Sequence, residues 1–121
     1  MKVVIVDDSE LFCKLLSSDL SDMQGIEVVG QAHEGLEALT LIQKLNPDVV
    51  ILDIRMPGEN GIGVLQKIEK QNGVPVVIML TNYPYPQYRK KCMEAGADFF
   101  FDKSGEFEKV FETLQHLTHP S

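Results

Sequence analysis

Five short runs of apolar, largely β-branched residues recur along the chain: Val3 to Val6, Ile26 to Val29, Val49 to Leu52, Val76 to Leu80 and Phe99 to Phe101. Runs this short and this uniformly apolar read as strands buried on both faces. The segments between them have helical period instead. Leu11, Phe12, Leu15, Leu16 and Leu20 are assigned to one helix face, Leu36, Leu39 and Ile42 to a second, and Ile62, Leu65 and Ile68 to a third. Phe107, Val110, Phe111, Leu114 and Leu117 make a fourth. Pro84 to Ala95 is the least amphipathic stretch, but a proline at its start and Gly96 at its end frame a helix of about three turns. Strict alternation of strand and helix predicts right-handed crossovers and an α/β fold, a (βα)₅ doubly wound parallel sheet of five strands. Pro47, Pro57, Gly73 and Pro75 fall in the connections, and the last six residues, His116 to Ser121, are expected to fray.

Length changes the picture only by bounding it. The 121 residues, 44% hydrophobic, suit one domain spanning positions 1–121, with no room for a second core. Charge excludes more: 11 basic against 18 acidic residues give a net charge of −7, the wrong sign for direct nucleic-acid binding. Cys13 and Cys92 lack CxxC spacing and read as two reduced thiols, and His33, His116 and His119 lack metal-ligand spacing and read as exposed polar residues. The opening MKVVIVDDS is too short and too acidic for a leader or a membrane span, so a soluble, cytoplasmic protein is expected.

In an open parallel sheet, ligands bind beyond the carboxyl ends of the strands. There the chain places Asp7 and Asp8 after the first strand, Asp53 after the third, Thr81 at the end of the fourth and Lys103 two residues past the fifth. Three carboxylates gathered at neutral pH repel one another, and a hard divalent cation is the natural remedy. Mg²⁺ fits because it accepts one or two carboxylates and completes its shell with water and phosphate oxygens. Asp53 can then act as nucleophile on phosphorus, while the Lys103 ammonium and the Thr81 hydroxyl neutralise and position the transferred group.

Singly, each residue has a plainer use. Asp7 and Asp8 suit a helix start near Ser9, Asp53 suits a turn before Met56-Pro57-Gly58, Lys103 suits a solvated surface and Thr81 an ordinary strand. Their joint register at one sheet edge favours the chemical use.

The acid pair after the first strand, LDIRMPGENG around Asp53, LTN around Thr81 and GADFFFDKS around Lys103 resemble the receiver domains of two-component response regulators, and the resemblance covers essentially the whole chain. It implies a flavodoxin-like sheet of strand order 2-1-3-4-5. It also implies Asp53 as phosphoacceptor, with Mg²⁺, or Mn²⁺ in its place, held by Asp7, Asp8, Asp53 and the backbone carbonyl of Arg55. Thr81 and Lys103 would contact the phosphoryl group. Phe100 would turn inward as Thr81 moves, changing a surface on helix four, strand five and helix five where Tyr85, Tyr88 and Arg89 stand. The implied partners are a sensor histidine kinase or phosphotransfer protein upstream, and a protein target or a second copy downstream. Such a protein is a self-phosphorylating switch, with autophosphatase activity at most, and not a turnover enzyme.

Departures from the family pattern occur at Asn82, where a small residue is usual and the amide would narrow donor access, and at Ser104, where a proline is usual and the loop should be less constrained. Arg55 and Tyr83 flank the expected phosphoryl position and should shield it from water, giving slow autodephosphorylation. Two rivals stand beside this reading. One is an interaction module that keeps the fold without phosphorylation; the other is an aspartyl-phosphate hydrolase, which would want an acid where Arg55 stands. Standalone adaptor and transcription regulator remain equally open as outputs.

Overall fold

The computed structural model describes residues 1–68 and 74–119, so Gly73 and the last two residues lie outside the described residues. Strands β1 (Lys2–Val6), β2 (Glu27–Ala32), β3 (Val49–Leu52), β4 (Val76–Thr81) and β5 (Phe99–Asp102) alternate with helices α1 (Glu10–Ser21), α2 (Gly35–Leu45), α3 (Gly61–Lys67), α4 (Pro86–Glu94) and α5 (Phe107–Thr118). All strand pairings are parallel and the order is β2-β1-β3-β4-β5, as expected.

Side chains alternate between two cores. Val4, Val6, Val50, Leu52, Val77 and Met79 face α2, α3 and α4, packing with Ala38, Ile42, Val64, Leu65 and Cys92. Val3, Ile5, Val49, Ile51, Ile78 and Leu80 face α1 and α5, packing with Cys13, Leu16, Leu20, Val110 and Leu114. Burial of both faces is why the strands read as continuous apolar runs. Each fully buried aliphatic side chain contributes about 1.5–3 kcal/mol to that packing.

The helices depart from expectation in several places. In α1 the buried face is Cys13, Leu16 and Leu20, while Leu11 and Leu15 are 67% and 58% exposed. The Ser9 side chain accepts the Phe12 amide at 3.1 Å and the Cys13 thiol lies 3.5 Å from the Asp7 carbonyl, and these contacts set the rotation of the helix. In α2, Leu36 is likewise exposed and Ala38 takes the buried place beside Ile42. Helix α4 begins at Pro86, not Pro84, because a residue preceding proline is kept out of helical conformation and Tyr85 is extended (φ −70°, ψ 141°). Nor does α5 fray from residue 116. It runs on to Thr118, whose hydroxyl donates to the Leu114 carbonyl at 3.1 Å.

Register brings the sheet-edge residues together. Val6 pairs with Leu52 and Thr81 with Asp102, so the residues just beyond β1 and β3 emerge side by side. The ladder continues one step further: the Asp53 amide donates to the Val6 carbonyl, the Asp7 amide to Ala32 and the Lys103 amide to Thr81, at 2.8–3.0 Å. Among the described residues no helix is long and apolar enough to cross a membrane.

Candidate functional site

Among the described residues, the buried polar side chains are Asp7, Asp53 and Thr81, at 2%, 6% and 0% exposure. All three belong to the set that the sequence places at the sheet edge. Asp8 joins them from a more exposed position, and carboxylate oxygens of Asp7, Asp8 and Asp53 lie within 4.8 Å of one another. Lys103 Nζ is 2.6 Å from Asp7 Oδ2 and 3.4 Å from Asp53 Oδ2.

Two of the acids are pinned by backbone donors. The Ser9 amide donates to Asp7 Oδ1 at 2.9 Å, and the Ile54 amide donates to Asp53 Oδ1 at 2.7 Å. Asp7 and Asp8 do not cap α1; Ser9 does. Burial pushes the Asp53 carboxyl above the usual carboxylate range and Asp7 adds to that, while Lys103, the Ile54 amide and Thr81 oppose it. Burial also works against the Lys103 ammonium, but its hydrogen bonds and charge contacts with Asp7 and Asp53 outweigh that and raise its pKa. One ammonium against three carboxylates leaves net negative charge on hard oxygen donors. That donor set suits a divalent cation such as Mg²⁺.

The remaining candidates sit on β4 and β5 and in the loops that follow β3 and β4. Thr81 closes β4, and its hydroxyl oxygen accepts the Tyr83 amide at 3.0 Å. The Arg55 guanidinium lies 4.0 Å from the centre of the Tyr83 ring. A hydrogen bond with Tyr88 raises the pKa of that arginine further, and Tyr83, Tyr85 and Tyr88 form a chain of ring contacts at 6.3 and 5.6 Å. Asn82 is exposed beyond the strand end. Phe100 is turned in, 3% exposed, with Arg89 Nη1 donating to its carbonyl at 3.4 Å.

The loop at Ser104, where the family usually has proline, is held by hydrogen bonds. Asp102 Oδ1 accepts both the Ser104 amide at 3.0 Å and the Ser104 hydroxyl at 3.2 Å, and the Glu106 amide donates back to the Asp102 carbonyl at 2.8 Å. His33 departs from expectation: it is half-buried, with Nδ1 3.0 Å from the Asp7 carbonyl. Cys13 and Cys92 are free and buried, and burial pushes each thiol up to about 11.

Gly61 is a site residue that pattern reading passed over. A Cβ there would stand 1.9 Å from the Asp53 carbonyl oxygen, so only glycine lets α3 begin this close to the acid. The signal was present in the Asn60-Gly61 pair closing the stretch after Asp53, where Asn60 caps α3 by accepting the Gly63 amide at 3.0 Å.

Comparison with known proteins agrees with this geometry. Residues 3–115 match the sequence model of the response regulator receiver domain. The uncharacterized transcriptional regulatory protein YvfU of Bacillus subtilis (strain 168) is 35% identical over 95% of this chain and 58% of its own length. Response regulator GacA of Pseudomonas aeruginosa is 31% identical over 97% of this chain and 55% of its own. The chain thus spans little more than half the length of either relative. Among solved structures, the CheX-CheY-BeF3-Mg+2 complex from Borrelia burgdorferi contains a chain that superposes with a TM-score of 0.85 at 31% identity, covering 97% of this chain and 88% of that one. With fold, sheet order and acidic pocket in agreement, the chain belongs to the response regulator receiver domain family.

Proposed function

We propose that residues 1–121 act as a cytoplasmic phosphorylation switch in which Asp53 accepts a phosphoryl group from the phosphohistidine of a sensor kinase or phosphotransfer protein, or from a small acyl phosphate. The observation that carries this reading is the meeting of three carboxylates within 4.8 Å, two of them bridged by Lys103. Asp7, Asp8, Asp53 and the Arg55 carbonyl would hold Mg²⁺ or Mn²⁺. Bound there, the ion supplies neutralisation of carboxylate and phosphoryl charge.

A carboxylate oxygen of Asp53 forms the new bond to phosphorus. The bond from phosphorus to the donor breaks, and its electron pair leaves with the imidazole or the acetate. The Ile54 amide fixes Asp53 Oδ1 at 2.7 Å, which leaves Oδ2, on the Lys103 side, as the nucleophile. Lys103 then neutralises charge on the oxygens of the transferred group, and the Thr81 hydroxyl donates a hydrogen bond to them. Thr81 pairs with Asp102 across β4 and β5, and Met79 with Phe100, so movement at Thr81 is passed to the strand that carries Phe100. The output is a protein target or a second copy, bound on α4, β5 and α5 where Tyr85, Tyr88 and Arg89 stand, and no nucleic acid is bound directly by a domain of charge −7.

Incubation with acetyl phosphate and Mg²⁺ tests the reading. Intact mass should rise by one phosphoryl group, and the rise should be absent with chelator and in Asp53→Asn. No rise in the wild type, or an undiminished rise in Asp53→Asn, overturns it.

A further inference from the structure

The Lys103 ammonium has a neighbour that its two ion pairs do not explain. Its Nζ stands over the ring of Phe12, 4.1 Å from the centroid. Phe12 is a helix residue held by its backbone and by its ring. Its amide donates to Ser9 Oγ at 3.1 Å. Its ring meets Phe107 edge-on at 5.9 Å, and Phe107 meets Phe111 edge-on at 5.2 Å. These contacts tie the start of α1 to the start of α5, the two elements that flank the lysine.

The contacts close a circuit around one carboxylate. The Ser9 amide holds Asp7 Oδ1, the Ser9 hydroxyl holds the Phe12 amide, the Phe12 ring carries the Lys103 ammonium, and the ammonium donates to Asp7 Oδ2. We infer that Phe12 is a positioning residue for Lys103, a ring seat that holds the ammonium at the pocket without a competing oxygen acceptor. An ammonium is attracted to the face of a ring by the ring quadrupole, and that attraction strengthens where water is excluded. The Lys103 side chain is only 12% exposed, so the ring replaces water on one side. A carbonyl or a further carboxylate in that place would hold the charge as well, but as a competing oxygen acceptor. On the ring, the ammonium can turn from Asp7 and Asp53 toward an arriving phosphoryl group. The inference rests on the reading of Lys103 as the phosphoryl partner.

Three proteins test it: wild type, Phe12→Leu, which keeps apolar bulk and loses the ring, and Phe12→Tyr, which keeps the ring. In wild type and in Phe12→Tyr, without Mg²⁺ or phosphodonor, ring current should move the Lys103 ε-methylene protons upfield of the other lysines by NMR. Phe12→Leu should abolish that displacement. At saturating Mg²⁺, Phe12→Leu should be phosphorylated by acetyl phosphate roughly three- to tenfold more slowly, within the range of one ammonium–ring contact, and Phe12→Tyr at the wild-type rate. Wild-type lysine protons without the displacement overturn the seat, as do a wild-type rate in Phe12→Leu or an equal slowing in Phe12→Tyr. A wild type that shows the displacement but gains no phosphoryl group supports the seat and overturns the proposed function instead.

Discussion

Asp53 is an ionisable group held where ionisation is unfavourable. Burial and the neighbouring Asp7 raise its pKa in the folded protein, so between the ordinary carboxylate range and the raised value the folded state binds more proton than the unfolded chain. Stability from this group is therefore lost as pH rises from the ordinary carboxylate range through the raised value. Asp53→Asn should accordingly raise Tm at pH 7 in chelator, by about 4 °C for each kcal/mol of relieved repulsion. The gain should shrink as the buffer approaches pH 4, and added Mg²⁺ should stabilise the variant less than the wild type. Thermal unfolding at two pH values checks this, and a lower Tm for the variant in chelator would count against it. Gly61 predicts the opposite sign. Its Cβ has no room against the Asp53 carbonyl, so Gly61→Ala should cost about 2 kcal/mol or more in denaturant unfolding and slow phosphorylation as well. At this scale the acids, Thr81 and Lys103 were legible because chemistry restricts which residue types can serve. The ring seat at Phe12 and the His33 contact were not, since each depends on a distance across the fold that no local pattern encodes, and the Asn60-Gly61 pair marks a helix start without showing the Asp53 carbonyl that Gly61 meets.

Strands were the most legible elements, because burial on both faces writes them as unbroken apolar runs. The exception is β2, an edge strand paired with β1 alone, whose second half contains Gly30 and Gln31 and lacks that signature. Helix α1 shows why period alone fails. It carries apolar residues on most sides, and only the Ser9 cap and the packing of Cys13 select the face that turns inward. The buried and exposed leucines of that one expected face make different predictions. Leu16→Ala should cost about 2–5 kcal/mol, as for a buried leucine, whereas Leu15→Ala should stay within about 0.5 kcal/mol. Chemical denaturation of the two variants reads the difference directly, and equal costs would return Leu15 to the core. The start of α4 was misplaced for a related reason: two prolines compete to open it, and the second wins because it holds Tyr85 extended at the cap.

For the whole molecule, function follows from parallel topology. Parallel strands end on one edge, the order β2-β1-β3-β4-β5 sets β3 between β1 and β4, and the acids after β1 and β3 meet beside Thr81 and Lys103. Arg55 in the loop after β3 and Tyr83 and Tyr85 in the loop after β4 are joined by cation–ring and ring contacts, and we propose that this cluster screens an acyl phosphate at Asp53 from water. Removing both in Arg55→Ala/Tyr83→Ala should shorten the lifetime of the phosphorylated protein several-fold, followed as loss of the added mass after the donor is removed. An unchanged lifetime would leave the pair without a shielding role.

The central question is which side chain receives the phosphoryl group. After incubation with acetyl phosphate and Mg²⁺, borohydride reduction converts an aspartyl phosphate to homoserine, and peptide mapping then locates it. The expected result is homoserine in place of Asp53 and aspartate retained at Asp7 and Asp8; homoserine at either of those positions, or at none, would contradict it.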